Sequence, residues 1–218
     1  LQHGRYVLGP EVAAFEQQLA TYTGIEHAVG VSSGTDALLA TFLALDYPPG
    51  AEVITTSFTF ISTATSVLRA GLRPVFADVA AGAFHPDAAS IEAAIGPRTR
   101  AVLVVHLFGA PLKLAAIKAL CDRRGIDLIE DCAQAIGGRF ASGEHVGGVG
   151  IAGTFGFCPA KTLGALGDGG AVLTGDAALA EKLRAVRQHG CKVKYRHDWL
   201  GGNFRLDALQ AAMLQVLL

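Results

Sequence analysis

The chain has 218 residues, of which 51% are hydrophobic and 17% are charged, so it is long enough to bury a sizeable core as one α/β domain. Its formal net charge of -1 gives no overall attraction to nucleic acid or to an anionic membrane. The sequence contains neither a visible signal peptide nor an apolar run of the ~18 to 20 residues that a membrane span needs. We therefore expect a cytoplasmic protein that binds neither nucleic acid nor membrane.

Short apolar, β-branched runs alternate with amphipathic stretches along the chain. The predicted strands are 28–31, 53–56, 74–77, 101–106, 126–130, 154–157 and 171–174. The predicted helices include 11–22, 36–45, 64–69, 87–95 and 114–124, and a last helix covers 206–218. This alternation predicts a mostly parallel sheet of roughly seven strands flanked by helices, with residues 1–218 in one α/β domain.

An anion-binding turn is predicted where the second helix starts. Ser32-Ser33-Gly34-Thr35-Asp36 follows the strand predicted at 28–31 and precedes a helical run. Hydroxyl groups, a glycine that allows close approach of the backbone, and free N–H groups at a helix start together form a cradle for a phosphate. An ordinary N-cap without a ligand is the alternative.

The four cysteines, Cys121, Cys132, Cys158 and Cys191, show neither C-x-x-C pairing nor the spacing of zinc ligands. The first three lie in or beside apolar segments, which predicts buried, reduced thiols in a cytoplasmic protein. His106 follows an apolar pair and has no histidine or carboxylate at ligand spacing in the sequence. We therefore expect a hydrogen-bonded histidine at a strand end and no metal site.

A carboxylate, Asp131, stands directly after the strand predicted at 126–130. In open α/β sheets ligands bind outside the carboxyl ends of the strands, so this side chain points toward a site. A carboxylate that pairs with a pyridinium nitrogen keeps that nitrogen protonated, as pyridoxal phosphate requires. The alternative is an N-cap for a following helix.

Lys161 lies in TFGFCPAKTLGALGDGGAV, residues 154–172, where an apolar segment leads into a run of glycines. Desolvation favours the neutral form of an amine, and a neutral amine can attack a carbonyl to form a Schiff base. Together with Asp131, Lys161 supplies the minimum equipment for holding pyridoxal phosphate. A surface lysine in a turn is the alternative interpretation of this residue taken alone.

Six blocks of the sequence together resemble one family. SSGTDAL, SFTFISTA, EDCAQA, the lysine segment, RQHG and GGNFRLDALQAA occur in the order seen in sugar aminotransferases of the DegT/DnrJ/EryC1/StrS type, pyridoxal-phosphate enzymes of fold type I. The resemblance runs over nearly the whole chain, from GRYVLGPEVAAFE onward. It implies the large domain of fold type I and a pyridoxal 5'-phosphate cofactor, with Lys161 forming the internal aldimine and Asp131 pairing with the pyridine nitrogen.

The resemblance also implies roles for five further residues. Phe60 matches the aromatic residue that stacks on the cofactor ring, and Gln134 matches the residue beside the ring hydroxyl. Gly34 and Thr35 match the phosphate-binding turn. Asn203 matches an asparagine that reaches the cofactor phosphate of the neighbouring subunit, which implies a homodimer with a shared active site.

One position departs from the family pattern. The family commonly has a serine five residues before the lysine, where the hydroxyl bonds the phosphate, whereas this chain has Gly156. We expect this phosphate contact to be missing or to be replaced by water or a backbone amide.

A cationic run, Lys192-Val193-Lys194-Tyr195-Arg196, lies in the last quarter of the chain. If this run is extended, its period of two places Lys192, Lys194 and Arg196 on one face. Such a face suits a diphosphate, and we hypothesise that it contacts the nucleotide part of the substrate. A solvated loop is the alternative.

The predicted function is transamination of a nucleotide-linked ketosugar in amino-sugar biosynthesis, with glutamate as amino donor as in the family. Sequences that read GALGDGGA after the lysine resemble the enzymes that aminate C3 of a 3-ketosugar, and residues 164–171 of this chain have that sequence. GGNFRLDALQAA, residues 201–212, resembles the same group.

Both ends of the chain look cut, because the first residues begin just before the GR-LGPEV block and the last helix stops within its pattern. We expect the C-terminal small domain of the family to be largely absent. The alternative function is that of a truncated, non-catalytic homologue that dimerises or binds the cofactor without turnover. A basic nucleic-acid binder built on residues 191–197 is disfavoured by the neutral overall charge.

Overall fold

The computed structural model describes residues 3–218, and seven of its strands form one sheet. The strands are β1 (His27–Val31), β2 (Glu52–Thr55), β3 (Arg73–Phe76), β4 (Thr99–Val105), β5 (Asp127–Asp131), β6 (Ala152–Gly156) and β7 (Gly170–Thr174). Their order is β1-β7-β6-β5-β4-β2-β3, and only β7 runs antiparallel to its neighbours. The predicted mostly parallel sheet is confirmed, and each predicted strand boundary lies within two residues of the observed one.

Seven α-helices lie within the described part of the chain. They are α1 (Pro10–Thr23), α2 (Gly34–Leu45), α3 (Ile61–Arg69), α4 (Ala88–Ala94), α5 (Ala115–Arg124), α6 (Ala177–Val186) and α7 (Ala208–Leu217). α6 is not among the helices named from the sequence. Its N-cap is Asp176, whose carboxylate accepts hydrogen bonds from the N–H groups of Ala178 and Leu179.

Helices cover both faces of the sheet, which explains why its strands are almost continuously apolar. Residues of α2, α3 and α6 form the core on one face, and residues of α1, α4, α5 and α7 form it on the other. Successive side chains of β4 point alternately into the two helix layers, as expected for a strand covered on both faces. Val102 and Val104 pack in the α4–α5 layer, whereas Ala101 and Leu103 pack in the α2–α3 layer.

The cationic run of the sequence forms a separate two-stranded hairpin, β8 (Cys191–Val193) and β9 (Arg196–His197). The chain turns between the two strands, where Tyr195 has a φ of 68°. The run is therefore neither one extended strand, which was the condition for placing its three cations on one face, nor a plain loop, because the local turn overrides the alternating pattern.

The cysteine prediction is confirmed in part. Cys121 and Cys132 are buried, and burial raises the pKa of the Cys121 thiol to about 11 and that of Cys132 well above its usual range. Cys158 is exposed, so the prediction for this residue is wrong. It lies two residues beyond the end of β6, whose residues are all buried, and directly after the buried Phe157.

Within residues 3–218, no helix is long and apolar enough to cross a membrane.

Candidate active site

A cavity of about 380 Å³ opens at the edge of the sheet where β1, β4, β5 and β6 end. Because these strands point in one direction, the residues that follow them meet at the same place. Six of the residues predicted to bind a cofactor line this cavity: Gly34, Thr35, Phe60, Asp131, Gln134 and Lys161. The sequence prediction for these six is thus consistent with one shared site.

Asp131 is the last residue of β5, and its side chain is buried, with 5% of the residue exposed. One carboxylate oxygen accepts a hydrogen bond from the N–H of Ala133 at 3.1 Å, and the other accepts one from the hydroxyl of Thr63 at 3.0 Å. No helix follows directly, so Asp131 is not the N-cap of a helix.

Burial raises the pKa of Asp131, although the hydrogen bonds from Ala133 and Thr63 oppose the rise. No cationic side chain within residues 3–218 forms an ion pair with this carboxylate. A buried acceptor of this kind, facing a cavity, fits the protonated ring nitrogen of pyridoxal phosphate.

The start of α2 lines one part of the cavity through Ser33, Gly34 and Thr35. Ser33 caps the helix by accepting a hydrogen bond from the N–H of Asp36 at 3.0 Å, while the other N–H groups of the first turn have no partner within the helix. A Cβ atom at Gly34 would lie 3.0 Å from the Cα of Gly156, and one at Gly170 would lie 2.4 Å from the carbonyl oxygen of Ser33. Glycine at 34 and 170 thus allows the start of α2 to pack closely against the ends of β6 and β7, which places its N–H groups at the cavity.

Lys161 is half-buried and lies in a turn after β6, where its N–H donates to the carbonyl of Cys158 at 2.8 Å. Lys161 is one of the residues that line the cavity, and its Nζ has no hydrogen-bond or ion-pair partner among the described residues. Lys161 does lie in a turn, as the alternative interpretation of a surface lysine held, but it also lines the cavity. A free amine in this position can form a covalent bond with a carbonyl ligand.

Gln134 and Phe60 lie on the rim of the cavity. The side-chain oxygen of Gln134 accepts a hydrogen bond from the N–H of Phe108 at 2.7 Å, so its amide NH₂ is the group left for a ring hydroxyl. That bond holds Phe108 at a φ of 58°, which is unusual for a bulky side chain. Phe60 is 67% exposed and precedes the first residue of α3. Their predicted contacts with a cofactor remain predictions.

Asn203 and the cations of the hairpin lie outside the cavity lining. Asn203 is exposed and forms a β-bridge with Gln188. Val193 pairs with Arg196 across the hairpin, and the register shifts between Cys191 and Val193, so the regular alternation of faces is interrupted at Lys192. These side chains also have partners: Lys192 contacts Glu181 and Trp199, Lys194 contacts Tyr195, and Arg196 contacts Asp198. Their contact with a nucleotide remains a prediction, although the single extended strand on which the one-face arrangement depended does not form.

Glu130, which the sequence analysis did not single out, is fully buried directly beside Asp131. One of its oxygens accepts hydrogen bonds from His106 Nε2 and Gly147 N, and the other accepts them from Val149 N and Gly150 N, all at 2.8 to 2.9 Å. The glycine-rich loop 147–150 is thereby held against β5. The sequence signal that could have identified Glu130 is an acidic residue within an apolar strand, followed by a glycine-rich run.

His106 is confirmed as a hydrogen-bonded residue at a strand end, because its Nδ1 accepts from Leu112 N and its Nε2 donates to Glu130. The sequence has no carboxylate at ligand spacing from His106, but the fold brings Glu130 to it from the adjacent strand. Ligand atoms of His106, Glu130 and Cys132 lie within 4.8 Å of one another. Glu130 already accepts four hydrogen bonds, which fill its acceptor sites.

Residues 1–218 match the model of the DegT/DnrJ/EryC1/StrS aminotransferase family, and the chain belongs to that family. Enzymes of this family and their structural neighbours use pyridoxal phosphate.

Two named relatives are nucleotide-sugar aminotransferases. The chain is 48% identical to UDP-N-acetyl-3-dehydro-alpha-D-glucosamine 3-aminotransferase of Acidithiobacillus ferrooxidans, over 99% of this chain and 58% of the relative. It is 46% identical to dTDP-3-amino-3,4,6-trideoxy-alpha-D-glucose transaminase of Streptomyces venezuelae, over 100% of this chain and 57% of the relative. A crystal structure of Streptomyces venezuelae DesV in complex with a ketimine intermediate superposes with a TM-score of 0.94 at 45% identity, covering 99% of this chain and 58% of that one. The chain thus spans a little over half the length of these relatives.

Proposed function

We propose that this chain is the cofactor-binding part of a pyridoxal-phosphate-dependent aminotransferase that acts on a nucleotide-linked 3-ketosugar in amino-sugar biosynthesis. The observation that carries the proposal is the convergence of Lys161, Asp131 and the start of α2 on one cavity. An amine, a buried carboxylate and a helix N-terminus match the aldehyde, the ring nitrogen and the phosphate of this cofactor.

When bound, the cofactor supplies an aldehyde that takes up an amine and a protonated ring that withdraws electrons. Lys161 would hold that aldehyde covalently until the amino donor displaces its Nζ. Once free, the Nζ of Lys161 would take a proton from the α-carbon of the donor as a base and return it as an acid. Asp131 would keep a proton on the ring nitrogen, because an ionised carboxylate stabilises an adjacent cation.

The phosphate would be held chiefly by backbone N–H groups of the first turn of α2 and by the hydroxyl of Thr35. A Cβ atom at Gly156 would meet Gly34 Cα at 3.4 Å and Ala133 Cβ at 3.5 Å, both ordinary contact distances. Space for a small side chain therefore exists where this chain has none. This supports the expectation that a water or a backbone amide replaces the missing hydroxyl.

Two observations support a 3-ketosugar as substrate. Both relatives named above carry a 3-amino or 3-aminotransferase designation. Asp168 and Gly169, in the loop that resembles the C3 group, line the same cavity as Lys161. A ~1 Å displacement of reacting atoms can cost on the order of a hundredfold in rate, so the shape of this loop is able to select the carbon. We propose glutamate as the amino donor.

The proposed assembly is a homodimer with a shared active site. Asn203 is exposed and outside the cavity of its own chain, a position that is free to reach the phosphate site of a second subunit. The exposed apolar residues Leu209, Val216 and Leu217 of α7 would also suit a contact surface.

The test uses the full-length protein that contains this chain. It is incubated with pyridoxal phosphate, glutamate and matched 3-keto or 4-keto nucleotide sugars, and NMR locates the new amine. We expect amination at C3. Amination at C4 alone would refute the choice of carbon, and cofactor binding with no amine transfer from any donor would favour the non-catalytic homologue.

A further inference from the structure

A chain of two hydroxyl groups ends on the carboxylate of Asp131. Thr63 Oγ1 lies 3.0 Å from Asp131 Oδ2, and Thr59 Oγ1 lies 2.9 Å from Thr63 Oγ1. An ionised carboxylate only accepts hydrogen bonds, so the single hydroxyl hydrogen of Thr63 is donated to Asp131. The oxygen of Thr63 then accepts from Thr59, and the two bonds point in one direction.

Thr63 stands behind the carboxylate rather than in the cavity. It is 0% exposed and is absent from the cavity lining, whereas Thr59 and Asp131 both line it. Thr63 therefore cannot touch a ligand of that size directly. Any effect that it has on the chemistry passes through Asp131.

The hydroxyl of Thr63 behaves differently from those of other helical threonines in this chain. Thr23, Thr41 and Thr65 donate to the carbonyl four residues earlier in their own helices, at 2.8, 2.8 and 3.1 Å. Such a bond satisfies a buried hydroxyl locally. Thr63 instead bonds a strand residue 68 positions away, next to the cavity.

The carboxylate depends on these donors because it is buried. Burial disfavours its ionised form, and the described residues provide two direct donors, Ala133 N and Thr63 Oγ1. Lys161 and His106 are the nearby charged or titratable groups that also favour ionisation. Without the Thr63 hydroxyl, a proton shared between the ring nitrogen and the carboxylate would move toward the carboxylate.

We propose that Thr63, supported by Thr59, is a positioning residue that keeps Asp131 ionised and directed toward the ring nitrogen of the cofactor. The part that concerns the cofactor rests on the proposed function. The part that links Thr63 to Asp131 does not, and the two are tested separately.

The link is tested on the protein without cofactor by a double-mutant cycle of Thr63→Val and Asp131→Asn, with unfolding by urea as the readout. We expect Thr63→Val to reduce the folding equilibrium constant about tenfold more in the native background than in Asp131→Asn, since a hydrogen bond to a charged group has roughly that value. Equal effects in the two backgrounds would mean that Thr63 only packs, and would overturn the proposal.

The effect on the cofactor is tested with pyridoxal phosphate labelled with ¹⁵N in the ring, bound to the full-length protein. In Thr63→Val the ¹⁵N signal should move toward the position of a neutral ring nitrogen, because the proton ratio between nitrogen and carboxylate changes by about tenfold or more. Thr63→Ser should restore the native signal. Thr65→Val, at a half-buried threonine of the same helix that does not line the cavity, is the control and should not move it.

If Thr63→Val does not fold, Thr59→Val is used instead, because it interrupts the hydrogen-bond chain to Asp131 at its partly exposed end. It should shift the ¹⁵N signal in the same direction by a smaller amount. A native ¹⁵N position in both variants would overturn the proposal. Failure of every variant and of the native protein to bind the cofactor, with the double-mutant coupling intact, would refute the proposed function and leave the link between Thr63 and Asp131 standing.

Discussion

Glu130→Gln is the substitution whose effect follows most directly from the observed hydrogen bonds. Each oxygen of Glu130 accepts from two donors, and His106 cannot change its role because its Nδ1 already accepts from Leu112 N. A glutamine has one acceptor oxygen, so two buried donors lose their acceptor whichever way the amide is turned. At about 1.5 to 3 kcal/mol for each bond to a charged group, the expected loss is about 3 to 6 kcal/mol.

This loss is a large part of the total stability of a typical domain, about 5 to 15 kcal/mol. The decrease in the free energy of unfolding is measured by urea unfolding of the native protein and the variant, followed by circular dichroism at pH 7 and pH 4. Burial alone would raise the pKa of Glu130, but the bonds from His106 and the loop amides outweigh it and hold the pKa below the ordinary 4.5. This stabilisation is therefore present above pH 4.5 and is lost as the pH falls below it.

The matched control is Glu92→Gln, which alters an exposed ion pair with Arg124 and should leave the unfolding midpoint near that of the native protein. Even one such bond is expected to contribute ~1.5 kcal/mol. A decrease in the free energy of unfolding below about 1 kcal/mol in Glu130→Gln would therefore refute the reasoning.

Three further predictions concern the cavity and the hairpin. Asp131→Asn should raise the melting temperature of the cofactor-free protein at pH 7 in a thermal scan, because a carboxyl with a raised pKa loses folding stability as the pH rises above the ordinary 3.8; an unchanged or lower value would contradict this. Gly156→Ser should lower the Kd for pyridoxal phosphate severalfold by fluorescence titration, and a weaker affinity would show that the added hydroxyl does not reach the phosphate. Arg196→Ala and Lys192→Ala should differ in their effect on KM for the sugar nucleotide, since Lys192 pairs with Glu181 of α6 whereas Arg196 pairs with Asp198, and equal effects would argue for a general loss of charge.

The positions of Lys161 and Asp131 were predictable from the sequence because they depend on where strands end. β5 and β6 are short apolar runs, and a residue just beyond such a run is carried to the carboxyl edge of a parallel sheet. The bond between Thr63 and Asp131 was not predictable in this way, because it joins residues 68 positions apart whose approach depends on how α3 packs.

The hairpin shows where periodicity fails. An alternation of charged and apolar residues over 192–196 is compatible with one strand, but a single residue in the left-handed region, Tyr195, reverses the chain. Cys158 shows a related limit, since the buried run that contains β6 continues to Phe157 and ends just before this cysteine. Glu130 was missed because three of its four partners are backbone N–H groups, which have no sequence signature beyond the glycine-rich loop that supplies them, and the fourth, His106, lies 24 positions away in the sequence.

The most direct test of the central claim is to identify the amine that binds the cofactor. The protein is mixed with pyridoxal phosphate, reduced with sodium borohydride to fix any covalent adduct, digested and mapped by mass spectrometry, with Lys161→Ala and the surface variant Lys113→Ala treated in parallel. The account predicts one dominant adduct on Lys161, its loss in Lys161→Ala and its retention in Lys113→Ala. No adduct on Lys161 in the native protein, or an equal distribution over other lysines, would contradict it.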